Sequence, residues 1–157
     1  MSSYKCELIE SGNETILKFS GDIDVDVALP DMDLAKIKKL VFDFEGLQGI
    51  NSCGIREWVV WLRTIPETVH TVYRNCPRVL VDQFNMIRGV VREVNSEIES
   101  FYIPYYCDDC DEERKILQVG MKNVNPAKVM ECPECKAEAE LDILQAKYLK
   151  FIQMYSK

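Results

Sequence analysis

Along the first hundred residues, short apolar runs alternate with segments in which apolar side chains recur every three or four positions. The runs Tyr4–Ile9, Thr15–Ser20, Leu40–Phe44, Thr68–Tyr73 and Glu97–Ile103 read as strands. Between them, Ser52–Thr64 places Ile55, Trp58, Val59 and Leu62 on one helical face, and a second segment does the same with Leu80, Phe84, Ile87 and Val91. Pro77 suits the first turn of that second helix, where its missing N–H has no intrahelical partner to lose, and Pro66 suits the exit from the first. The acid-rich stretch between Gly21 and Lys39 reads as a loop with at most one helical turn, around Asp33–Lys38. This alternation predicts an α/β fold, a sheet covered by helices.

After Pro104 the texture changes to cysteine pairs and charge clusters, so the chain divides into a first region, 1–104, and a second, 105–157. In the second, strand-like Phe101–Tyr106, Arg114–Val119, Lys128–Glu131 and Ala137–Asp142 flank the cysteines. The final stretch, Ile143–Tyr155, sets Leu144, Tyr148, Phe151, Ile152 and Tyr155 at helical spacing. It predicts a terminal helix docked on the rest of the protein, with a partner-binding helix as the alternative.

Cys107-Asp108-Asp109-Cys110 and Cys132-Pro133-Glu134-Cys135 carry the sharpest chemistry in the chain. A Cys-x-x-Cys turn lets two thiolates face one tetrahedral ion, and two such turns at hairpin ends complete a four-sulfur shell. The spacing therefore predicts a zinc ribbon holding one zinc ion through Cys107, Cys110, Cys132 and Cys135. Four thiolates saturate the metal, so the expected role is structural, without a hydrolytic water. Such knuckles commonly carry Gly after the second cysteine, whereas Asp111 and Lys136 stand here, at a cost if that residue needs positive φ. Redox-active dithiols are the competing reading, and the pairs do not open a helix after a strand as that chemistry requires.

Charge narrows the partners. The chain has 26 acidic against 19 basic side chains, a net −7, and this repels phosphate backbones and anionic headgroups. Nucleic acid and membrane surfaces are thus disfavoured as partners. The longest apolar run, Trp58–Leu62, is far short of the roughly 20 residues needed to span a bilayer. Seven cysteines without an apolar N-terminal core point to a reducing cytoplasm, not a disulfide framework.

The segment Phe42-Asp43-Phe44-Glu45-Gly46-Leu47-Gln48-Gly49-Ile50-Asn51-Ser52-Cys53-Gly54-Ile55 resembles the central signature of STAS domains, the family of bacterial anti-sigma factor antagonists and sulfate-transporter tails. That signature is a strand ending in apolar-Asp-apolar, a short connection, then Asp-Ser-Ser/Thr-Gly-apolar opening a helix. Upstream, Leu17-Lys18-Phe19-Ser20-Gly21-Asp22-Ile23-Asp24 is similar to the family's strand followed by Gly-acidic-apolar-Asp. The resemblance spans about residues 4–104. Asn51 stands where phosphorylatable members usually have Asp, Cys53 replaces the second hydroxyl, and the chain before Leu40 is too short for the family's first helix.

The resemblance implies that Ser52 is the residue phosphorylated by a partner serine kinase, and that Asn51, Ser52, Arg56 and Trp61 lie on a surface that binds a protein partner. A phosphate on Ser52 would sit at the positive end of the helix dipole. Physically, Asn51 or Ser52 can cap the helix and Gly54 can let the turn pack closely, so an unmodified capping serine is the other reading of Ser52. Trp61 would be a partner hot spot, a cover for the sheet edge or a side chain packed on the ribbon. Cys53 is expected to be a small buried residue, Cys6 and Cys76 core or near-core thiols, and His70 a half-buried strand residue. No catalytic set is apparent. The function expected is a non-enzymatic regulator resembling an anti-sigma factor antagonist. The alternatives are a non-switching scaffold with a structural zinc ribbon and a small-ligand sensor that binds a nucleotide.

Overall fold

The computed structural model describes residues 4–24, 29–30 and 32–155. The chain is a mixed α/β protein with two sheets. Strands β1 (Lys5–Ser11) and β2 (Glu14–Ile23) form an antiparallel hairpin turned at Gly12, and β3 (Lys39–Ile50), β4 (His70–Arg74) and β5 (Ser96–Ile98) join in parallel, in sequence order. Helices α1 (Ser52–Leu62) and α2 (Arg78–Met86) make the β3-to-β4 and β4-to-β5 crossovers. Leu17, Phe19, Leu40, Phe42, Phe44 and Tyr73 from the sheet meet Ile55, Trp58, Leu80 and Phe84 from the helices in one buried cluster. Fully burying each of these side chains contributes about 1.5–3 kcal/mol. On the opposite face, strand register sets Glu7, Lys18, Asp43 and Arg74 in a row of alternating charge, and Glu99 closes it 2.6 Å from Arg74.

β3 runs further than the apolar run Leu40–Phe44 suggests, because Glu45–Ile50, expected as a connection, pairs with the end of β2. Gly46 permits this: a Cβ there would stand 2.8 Å from the Cβ of Ser20. α2 ends at Met86, short of the Val91 that helical spacing includes. Ile87 is extended and Gly89 has a φ of +100°, yet Val90 and Val91 remain buried because Trp58 Nε1 (2.9 Å) and Tyr73 Oη (2.8 Å) both donate to the Val90 carbonyl. Pro77 is the cap residue before α2, one position earlier than expected. Between β2 and β3 lies one 3-10 turn, Leu34–Lys36, capped by Asp33; residues 25–28 and 31 of that stretch lie outside the described residues.

The apolar run Glu97–Ile103 divides at Glu99 into β5 and β6 (Ser100–Cys107). β6 still touches the first sheet, through Cys76 N–H to the Ser100 carbonyl and Tyr102 N–H to the Cys76 carbonyl. It then forms an antiparallel sheet with β7 (Glu112–Val119) on one side and β9 (Glu138–Leu141) on the other, with β8 (Val129–Glu131) outside β9. Pro104 lies in the middle of β6.

The C-terminal stretch is two short helices, α3 (Gln145–Tyr148) and α4 (Lys150–Tyr155), not the single helix that its spacing predicts. The cause is local. In a continuous helix the Tyr148 carbonyl would accept from the N–H of Ile152. Here Asn85 Nδ2 occupies that carbonyl at 2.8 Å, and Ile152 N–H turns to Leu149 instead. The break points Tyr148 and Phe151 into the core, where Phe151 packs on Phe84 and Phe101, and leaves Leu144 at 76 % exposure. Among the described residues, no helix is long and apolar enough to cross a membrane.

Candidate functional site

The two Cys-x-x-Cys turns meet. Cys107 ends β6 and Cys110 follows in the turn to β7, while Cys132 and Cys135 lie in the turn from β8 to β9. Because β6 and β9 are paired neighbours, these two hairpin ends face each other, and the four sulfurs all lie within 4.8 Å of one another. Cys107 Sγ is 3.5 Å from Cys135 Sγ, and Cys110 Sγ is 3.9 Å from Cys132 Sγ. A tetrahedral ion with metal–sulfur bonds of about 2.3 Å separates its sulfurs by about 3.8 Å, so the spacing fits a four-thiolate metal site. It does not fit a disulfide, and all seven cysteines are free.

The turns are built for sulfur ligation. Cys110 N–H points to Cys107 Sγ at 3.4 Å, and Lys136 N–H closes the second turn on the Cys132 carbonyl at 2.9 Å. Asp111 and Lys136 do take positive φ, 54° and 67°, the conformation that glycine usually supplies in this position. Tyr106 Oη donates to Asp111 Oδ1 and so steadies the first of these turns. Cys107 and Cys132 are buried, Cys110 is half-buried and Cys135 is exposed.

The electrostatics are asymmetric. Arg114 Nε lies 3.4 Å from Cys132 Sγ, and this guanidinium, with backbone N–H groups of Cys135 and Glu134, brings the Cys132 thiol down to about 6. Its neighbour Cys135, together with burial, pushes Cys110 up to about 12. Four thiolates at this spacing repel one another, and a cation among them removes that repulsion. Nothing in the cysteine spacing marks Arg114; the β6–β7 register, which sets it opposite Tyr105, brings it to the site.

The second predicted surface is separate from the first. Asn51 caps α1, its Oδ1 accepting from Gly54 N–H at 2.9 Å. Ser52, Cys53 and Arg56 are exposed, so Cys53 is not the buried residue expected of it. The cap explains this: Asn51 and the first two helical positions turn outward, while Gly54 faces Ile23 of β2 and Ile55 is buried. Trp61 is half-buried, packs 5.8 Å from Phe42 and 5.4 Å from Trp58, and donates from Nε1 to the Pro30 carbonyl at 3.0 Å. That bond fixes Pro30 beside α1.

His70 opens β4, its ring between Asn95 Oδ1 at 2.9 Å and Glu97 Oε1 at 3.1 Å; Cys76 is buried and Cys6 half-buried. Only the four cysteines form a cluster able to hold a metal among the described residues. No family model matches the chain, and no curated protein or solved structure matches it either.

Proposed function

We propose that this protein is a regulatory protein-binding module resembling an anti-sigma factor antagonist, with the surface around Ser52 and Arg56 as its docking site. The observation that carries the reading is the start of α1. The Asn51 side chain takes the Gly54 N–H, and Ser52 stays exposed in the first turn, accessible to a kinase and adjacent to the helix's positive end. The order of strands and helices in the first sheet is consistent with the STAS resemblance and supports it. Phosphorylation there adds close to two negative charges to a surface carrying Arg56, which changes what can dock.

The metal is read as zinc, since four thiolates in a tetrahedral spacing select a borderline-soft ion with no need for an open position. Its role is structural. Structural zinc supplies about 10–16 kcal/mol of apparent folding free energy in small zinc peptides, which matters for a second sheet whose β7 and β8 are largely exposed.

The test pairs two measurements on protein from its native cell. Mass spectrometry should find a fraction phosphorylated on Ser52, and a photocrosslinker at Arg56 should capture a serine kinase or anti-sigma-type protein, with capture lost in Ser52→Asp. A Ser52 that is never modified, with partner capture unaltered by Ser52→Asp, overturns the reading.

A further inference from the structure

A groove of about 570 Å3 runs between α1 and residues 88–94. Val59, Leu62, Ile65 and Val91 supply apolar lining, and Val94, 47 % exposed, stands at its lip. Gly89 brings the two sides together, since a Cβ on it would stand 3.5 Å from Val59 Cγ1. Val60, 52 % exposed, continues the apolar surface along α1.

Its charge runs against that of the whole molecule. The chain carries −7, yet Arg63, Arg88 and Arg92 line this groove against Glu67 and Glu93. Arg63 has no carboxylate partner among the described residues. The guanidinium of Arg92 bonds to the carbonyls of Val69 (2.9 Å) and Pro66 (3.0 Å) and to Thr71 Oγ1, all neutral acceptors, and Glu67 acts on it through space without an ion-pair contact. Arg88 and Glu93 meet only at 3.8 Å, both well exposed, so their pairing is weak. Arg56 lies on α1 two turns before Arg63, which caps the end of that helix, and extends the positive stripe toward Ser52.

We propose that this groove receives an acidic amphipathic helix of a partner protein, its apolar ridge on Val59, Val60 and Val94 and its carboxylates toward Arg63 and Arg92. An apolar groove beside a helix accepts anchors at i, i+3 and i+4, and the flanking guanidinium groups select carboxylates on the rest of the ligand. The proposal rests on the protein-binding reading above and adds the chemistry of the partner.

The experiment is fluorescence anisotropy with the zinc-loaded full chain and three synthetic peptides. One has Leu at helical spacing on a Glu background, the second has Lys in place of Glu, and the third shuffles the first. The first should bind at least about tenfold more tightly than the others, the equivalent of about 1.4 kcal/mol. Arg63→Glu and Val94→Asp, both at the surface, should each weaken it by about fivefold or more with the melting temperature unchanged, while Lys5→Glu on β1, the opposite edge strand of the first sheet, leaves it unaltered. Equal binding of the shuffled or the Lys peptide, or indifference to Arg63→Glu, overturns the proposal. Failure of the peptide while a native partner still crosslinks at Arg56 overturns the partner chemistry alone and leaves the docking site standing.

Discussion

A Cβ placed on Gly54 would stand 2.2 Å from the carbonyl oxygen of Ile23. The first turn of α1 is therefore pressed against the backbone of β2, and neither backbone can yield without moving a whole element. Gly54→Ala should destabilise the protein by about 3 kcal/mol in urea unfolding, at the upper end of overpacking costs. Gly49→Ala is the control, because a Cβ there meets only the Asp22 side chain, which can rotate away. Equal midpoints for the two variants would show that α1 is not seated as described.

The two left-handed positions at the knuckles offer a paired test. Lys136→Gly relieves a φ of 67° and should raise thermal stability and zinc retention against a chelator, by up to about 1 kcal/mol. Asp111→Gly relieves a similar strain and loses the carboxylate that Tyr106 donates to, so its net gain should be smaller. Equal gains would mean that the Tyr106 contact contributes nothing.

Asn85→Ala removes the donor that holds the Tyr148 carbonyl, at a cost of about 1–2 kcal/mol. The Ile152 N–H is then free to join it, so α3 and α4 should fuse into one helix and draw Phe151 off its packing on Phe101. Proteolysis at Lys147 and Lys150 should quicken before any other site opens. An unchanged digestion pattern would count against this anchor.

Tyr73 and Cys76 are fully buried, and burial raises both above their ordinary values. Because the neutral forms fit the core and the anions do not, stability is intact below the unfolded values and is lost as pH rises through them. The unfolded thiol ionises near 9 and the phenol near 10, so urea midpoints should begin to fall above about pH 9. Tyr73→Phe loses the hydroxyl's bond to Val90 and should be about 1 kcal/mol weaker at pH 7, with the gap narrowing toward pH 11. A constant gap would place the alkaline loss elsewhere.

Much of this structure is legible in the residue pattern, and what is not has specific causes. The apolar run Leu40–Phe44 and the Trp58-centred helical face both follow from burial alone, and both appear. The cysteine spacing carries the four-sulfur cluster because two hairpin turns have few other ways to meet. Helix ends escape because they are decided by single distant groups. Asn85 breaks the C-terminal helix from 63 residues away, and Trp58 and Tyr73 hold Val90 buried after α2 has stopped. Val91 satisfies the helical period while lying outside the helix, since periodicity reports burial and not backbone state. Trp61 is ambiguous in sequence for a related reason: its hydrogen-bond partner, the Pro30 carbonyl, lies 31 residues away along the chain.

The passage of one strand from the first sheet into the second has a practical consequence for dissecting the protein. Phe101 sits in the same core as Phe84 and Phe151, and six residues later the same strand delivers Cys107 to the sulfur cluster. A truncation at residue 104 would sever β6 between these two points, stripping Phe101 of Phe151 and its strand of both antiparallel neighbours. Either fragment, studied alone, would report on exposed apolar surface before it reported on partner or metal.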